Sequence, residues 1–210
     1  MEPMSIDEAL VTTRAVRKRL DLERPVPREV ILECVRLALQ APNGSNRQLW
    51  SWVVVDDPGT RAEMARIYND AIETYRSGAG LPPVDWSTPA GQRMGTSVAH
   101  LREHLHEVPV LVVPTVTGRL DGAAIPDQAH LWGSILPAVW SFMLALRGRG
   151  LGSVWTTVHL AQEQRMAELL GIPYADVTQA GLFPVAYTIG TDFEPGDRAL
   201  SADVVHFNRW

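Results

Sequence analysis

A chain of 210 residues, 46% hydrophobic and 20% charged, has the material for one ordinary folded domain with a real core, so a single domain over 1–210 is expected. The formal net charge of -5 leaves no basic excess to neutralise a phosphate backbone, and nucleic acid is not an expected partner. One cysteine, Cys34, rules out an internal disulfide and, with no Cys/His cluster beside it, argues against structural zinc; a reducing, cytoplasmic setting fits.

The first ten residues have no basic start followed by an apolar run, and no apolar stretch approaches the roughly 20 residues of a spanning helix, so neither export nor a membrane is expected. Ser5 and Glu8 have the spacing of a capping box and predict a first helix. Val30, Ile31, Cys34, Val35, Leu37 and Ala38 recur at helical spacing, predicting a second, amphipathic helix that stops near Pro42. Trp52 to Val55 reads as a short strand, and Thr60 with Glu63 as the cap of a helix reaching about Tyr75.

Residues 77–97 concentrate glycine, proline, serine and threonine around Trp86 and read as an irregular excursion bordering an active site. A helix is predicted from Val98 to Glu107, a strand from Val108 to Val116, and a helix apolar on nearly all sides, hence buried, from Gln128 to Leu146. Ser153 to Thr157 and Leu182 to Ile189 read as strands, with a helix between them ending at Leu170 before Gly171. The tail, 191–210, keeps Phe193, Val204, Val205, Phe207 and Trp210, too much apolar surface for a solvated end. Strands and helices do not alternate regularly, so the pattern reads α+β.

Three segments carry chemistry. Arg14 to Arg19 is a basic cluster in an acidic chain, able to pair with a phosphate or a developing anion, although such a run alone is most often a solvated face. Pro42 to Trp50 gathers Asn43, Gly44, Asn46 and Gln48, donors and acceptors around a glycine that permits close approach. Gly148 to Gly152 has dinucleotide-like glycines, but it leads from a helix into a strand, the reverse of the order that presents a helix N-terminus to pyrophosphate.

Together these segments resemble the nitroreductase family: R-[RH]-S-x-[RK] is matched at Thr13 to Arg17, P-S-[GS]-x-N-x-Q-P-W at Pro42 to Trp50, and G-L-G-S with an aromatic at Gly150 to Trp155. The resemblance implies an FMN-binding α+β fold with a mixed central sheet flanked by helices, in an intertwined homodimer whose cofactor site is shared between subunits. It implies two-electron transfer from NADPH or NADH to nitroaromatic, quinone or similar small acceptors by ping-pong turnover. Implied cofactor contacts are Arg14, Ala15, Val16 and Arg17, with Arg17 near the ring's N1/C2 edge; Gly152, Ser153, Thr156 and Thr157 along the ring; and Arg198 with Arg14 on the phosphate. Pro42, Asn43, Gly44, Asn46 and Gln48 would arrive from the other subunit, and one further basic contact from Arg93, Arg102 or His104. Trp86 would line the acceptor pocket, the tail would pack on the partner, and no side chain would be catalytic because flavin N5 is the reactive centre. Thr13, Ala15 and Leu49 depart from the pattern and bear on cofactor affinity. The same fold hosts reductive dehalogenation, enoyl-type reduction, flavin breakdown and non-catalytic flavin storage.

His100 and His104 have metal-ligand spacing, but Leu101 stands where a zinc protease needs glutamate, so no metal is expected. Cys34 reads as a small core residue, and Trp50, Trp52, Trp132, Trp140 and Trp155 as core aromatics.

Overall fold

Residues 4–78, 85–198 and 203–210 are described by the structure, a computed structural model. Ser5 caps the first helix as predicted: its side chain accepts from the Glu8 amide at 3.1 Å, and α1 spans Ile6–Thr12. In α2 (Arg28–Ala38), Ile31, Cys34 and Ala38 turn inward, whereas Leu37, expected inside, is exposed. Burial pushes the Cys34 thiol up to about 11, so it behaves as a small apolar residue.

β1 (Trp50–Val55) leads into α3 (Pro58–Gly78). Its cap is Asp57 rather than Thr60: the Asp57 carboxylate accepts from the Thr60 amide at 2.7 Å and hydroxyl at 2.8 Å, and Pro58 takes the first helical position, where its missing N–H costs nothing. The excursion read over 77–97 is largely corrected. Helix α4 (Pro89–His104) begins nine residues before Val98, set by Thr88 capping the Gly91 amide and by Pro89. Positions 79–84 of that stretch lie outside the described residues.

β2 (Val110–Thr117) is followed by α5 (Ile125–Arg147), β3 (Leu151–Ser153), a 3-10 helix Val158–Gln162, α6 (Glu163–Leu170), β4 (Val177–Gln179) and β5 (Phe183–Tyr187). Gly171 ends α6 in the left-handed conformation, as read from sequence. The sheet runs β1-β2-β5-β3, with β4 on the same edge of β2 as β5, and every ladder is antiparallel. The sheet is thus antiparallel rather than mixed among the described residues, and the parallel pairing of Ala15 with Ser153 is an isolated bridge outside the named strands.

β2 is buried on both faces, which explains its unbroken apolar run. Leu111 and Val113 face a core with Met64, Tyr68, Leu101 and Met166, while Val110, Val112 and Val116 face a second with Ile31, Phe142, Leu146 and Phe183. Full burial of such side chains contributes about 1.5–3 kcal/mol each.

Two expectations for α5 are corrected. It is 23 residues long and holds an 18-residue window of mean hydropathy 1.4, so by length and composition alone it would reach across a membrane. It packs instead on α2, β2 and β3. Nor is it buried all round: Ala129, Gly133 and Trp140, with half-buried Leu136, Pro137 and Leu144, form a stripe that nothing in the described chain covers.

His159 is fully buried in the 3-10 helix, and neither ring nitrogen hydrogen-bonds to a described residue. Burial lowers its pKa from 6.5 to about 4, and Gln179 only partly opposes the shift from outside good hydrogen-bond geometry. Between those values the unfolded chain binds a proton that the folded chain refuses. Stability present above pH 6.5 is therefore lost as the pH falls toward 4. At about 1.4 kcal/mol per unit, the loss approaches 3 kcal/mol. Urea unfolding measured from neutral pH down to about 4 should show this decline, and His159→Leu should flatten it; an equally steep decline in the variant would assign it to other groups.

Candidate functional site

The basic segment folds back onto the sheet instead of lying on a helix face. The Val16 amide donates to the Ser153 carbonyl at 2.9 Å, and Leu20 bridges Thr188, so residues 15–20 extend the β3–β5 edge. Gly152 makes this possible, because a Cβ there would overlap Val16 and the Thr188 methyl. Val16 and Leu20 anchor the segment in the core. Arg14, Arg17 and Lys18 are thereby held over an open cleft of about 320 Å³, whose other walls are Ser97 of α4 and Asp192 to Glu194.

The cations of this cleft are not equivalent. Arg19 is neutralised: it pairs with Asp192 at 2.5 Å, donates to the Ile189 carbonyl at 2.8 Å and covers the Phe193 ring. Arg17 is half-buried, and its guanidinium makes no hydrogen bond or ion pair with any described residue. Burial lowers its pKa, opposed by the neighbouring Tyr68 phenol, which bonds Thr156 Oγ1 at 3.1 Å. Arg14 likewise has no carboxylate among the described residues, and its guanidinium lies against Gly196. Behind Arg14 is a cavity of about 10 Å³, lined by Thr12, Arg147, Ser153 and Phe193, with room for about one water. Ser153 Oγ is buried there without a hydrogen-bond partner.

Of the residues expected in a site, the structure therefore brings together Arg14, Ala15, Val16, Arg17, Gly152 and Ser153. Thr156 and Thr157 follow at the end of this strand; the Thr156 amide already donates to Leu182, so it is not free for a ligand. Arg198 is exposed, and among the described residues its side chain bonds the carbonyl of its neighbour Asp197. Trp86 is 51% exposed, against Gly95 on α4, and is not part of the cleft wall. Arg93, Arg102 and His104 are not part of it either: Arg102 bonds Asn69 and His104 bonds Glu107.

The loop Pro42 to Gln48 lies elsewhere. Its Gly44 amide donates to Ser134 Oγ at 3.0 Å, and Gly44 sits so close to His130 that a Cβ would strike the imidazole. Asn43 Oδ1 accepts from the Gln48 amide at 2.9 Å, holding Ser45, Asn46 and Gln48 at positive φ, strained positions for residues with side chains. Ser134 and Arg147 are both on α5, thirteen residues or about 20 Å apart at 1.5 Å per residue, so within one chain the loop and the arginines form separate half-sites. Sequence reading missed Arg147, Ser97 and the carboxylates of Asp192 and Glu194. Only the position of Arg147 at a helix C-terminus, where a cation suits the dipole, carried any local signal.

A model of the nitroreductase family matches residues 10–187. Iodotyrosine deiodinase 1 of Rattus norvegicus is 28% identical over 196 residues, 89% of this chain and 63% of that protein, so the chain spans less than two thirds of this relative's length. In fold it is similar to an oxidized iodotyrosine deiodinase bound to FMN and 3-iodo-L-tyrosine, with a TM-score of 0.74 at 21% identity over 98% of this chain and 100% of that one. It is similar also to an FMN and NADPH-dependent nitroreductase of sphigopyxis sp. strain HMH, with a TM-score of 0.71 at 19% identity over 98% and 100% of the two chains. The family match covers most of the chain, including the basic segment, the loop and the β3 edge: this protein belongs to the nitroreductase family.

Proposed function

We propose that the chain binds FMN and passes two electrons from NADPH or NADH to a small electron-poor acceptor such as a nitroaromatic or a quinone. The observation that carries this reading is the half-buried Arg17, desolvated beside Arg14 over an open cleft and in no ion pair with a described carboxylate, although Asp192 and Glu194 stand in the cleft wall. A cation in that state is costly unless a ligand brings the missing charge. FMN fits: it has a phosphate for Arg14 and, when bound, supplies two-electron chemistry with a ring edge that gains negative charge on reduction. Arg17 would hold that edge and favour its reduced form. Arg198 is a second candidate for the phosphate. Thr157 would border the ring, and Trp86 would meet the acceptor.

Completing the site from a second copy reconciles the two half-sites. The uncovered stripe on α5 and the exposed Val204, Phe207 and Trp210 of the tail supply apolar surface for a homodimer. In it, Asn43, Gly44, Asn46 and Gln48 of one chain would face the arginines of the other.

Reductive dehalogenation is the second reading, favoured by the sequence identity to iodotyrosine deiodinase 1. Anaerobic reduction separates the two. The FMN-loaded protein should lose its visible flavin band on addition of NADPH or NADH and regain it with a nitroaromatic or quinone. Recovery with 3-iodo-L-tyrosine alone would select the dehalogenase, and a band that never bleaches with either nucleotide would reject the nicotinamide donor.

Arg17→Met should lower the two-electron midpoint potential of the bound flavin by about 30 mV or more, equivalent to roughly 1.4 kcal/mol, as measured by equilibration with a reference dye; an unchanged potential would remove Arg17 from the ring edge. Trp140→Glu should convert a dimer to a monomer in light scattering and release flavin with it. A flavin-retaining monomer would contradict the shared site.

A further inference from the structure

Arg147 ends α5 with 6% of its surface exposed. Its guanidinium donates to Thr12 Oγ1 from Nε at 3.3 Å and Nη2 at 3.2 Å, and to the Thr191 carbonyl at 3.1 Å. It also lies over the Phe193 ring, 4.8 Å from the centroid. All of these partners are neutral. No carboxylate among the described residues is within ion-pair distance, and burial lowers the Arg147 pKa, with the more distant Glu8 opposing and Arg19 adding to the shift.

As a tie between α1, α5 and the tail, a charged group is a poor choice, since an apolar side chain of similar volume packs such a junction without desolvating a cation. The charge has a use in the cavity it borders. Arg14, Arg147 and Ser153, whose hydroxyl is unpartnered, all line it, a set rich in donors with no carboxylate among its walls. The hole has room for about one oxygen atom, and it shares Arg14, Val16 and Phe193 with the larger cleft. Two guanidinium groups and a hydroxyl around one opening are the chemistry that recognises an oxyanion, phosphoryl above all.

We infer that Arg147 is a phosphoryl-binding residue of this chain: with Arg14 and Ser153 it holds the cofactor's phosphate at the inner end of the cleft, in place of the cation and hydroxyl that Thr13 and Ala15 do not provide. The inference rests on the FMN reading. It assigns to α5 a contact that neither the basic segment nor the tail supplies.

The experiment is a pair of fluorescence titrations, one with FMN and one with riboflavin, which lacks the phosphate, on the wild type, Arg147→Met, Arg147→Lys and Thr12→Val. Inorganic phosphate serves as competitor. Arg147→Met should weaken FMN about tenfold or more, the loss of a charge-assisted hydrogen bond, while riboflavin moves by less than about twofold. Phosphate should displace FMN less effectively from this variant than from the wild type. Arg147→Lys keeps the charge but not the fork and should fall between, and Thr12→Val, which removes a neutral tie, should keep the wild-type ratio of the two affinities. Parallel loss of both flavins with a lowered Tm would reduce Arg147 to a structural tie and overturn the inference. A wild-type ratio in Arg147→Lys would overturn it even if Arg147→Met did not fold. A wild type that binds neither flavin defeats the FMN reading itself, a result distinct from an unchanged ratio.

Discussion

The docking of residues 15–20 along the β3–β5 edge is the contact on which the rest of the site depends. It uses backbone hydrogen bonds from the Val16 amide to the Ser153 carbonyl and from the Ile189 amide to the Arg19 carbonyl, and one residue without a side chain, Gly152, to let the segment approach. Val16 and Leu20, four residues apart, are driven inward by the core, and the residues between them are left facing the cleft. The same contact covers a sheet edge that would otherwise expose unpaired backbone groups. Fold and site are thus coupled: the hydrophobic anchors that close the sheet also aim the arginines.

The distribution of charge gives those arginines their meaning. The chain has 24 acidic and 19 basic side chains, so carboxylates are in excess. Arg19, Arg28, Arg119, Arg149 and Arg165 are paired with them. Arg14, Arg17 and Arg147 are not paired with any described carboxylate, and they share one region of the molecule. In a chain with acid to spare, three cations in one region without an ion pair to a described carboxylate, one of them buried, are the observation on which the proposed anion-binding site rests.

Local chemistry was legible in the sequence, and long-range pairing was not. Ser5 and Gly171 announced helix ends because capping is settled within a few residues. The double-faced burial of β2 could be read from its apolar run, since a strand covered on both sides needs no alternation. β4 is three residues long and exists only because Thr115 to Thr117 offer it a partner, and the start of α4 was hidden by glycines and prolines that sequence reading assigns to loops. Arg14 and Arg17 were legible through a motif; Arg147 was not, because nothing local distinguishes a cation that suits a helix end from one that is buried against a cavity. Trp140 was misread for a related reason, as composition cannot tell an apolar face turned to the core from one left open.

Helix α5 sets the geometry that any shared site must satisfy. Its N-terminal half holds the strained loop through Ser134 and His130, and its C-terminal end holds Arg147 behind Arg14. A rigid helix keeps these two about 20 Å apart, so no adjustment within one chain brings Asn43 or Asn46 to the arginines. Two copies related by a twofold axis across the open stripe of α5 would run their helices antiparallel and bring the loop end of each to the arginine end of the other. The proposed dimer then follows from one helix that is long, apolar and uncovered on the face between its two functional ends. On that argument the apolar stripe and the two half-sites are a single feature: a change to the stripe acts on the cofactor through the distance that α5 fixes, although no residue of the stripe need touch it.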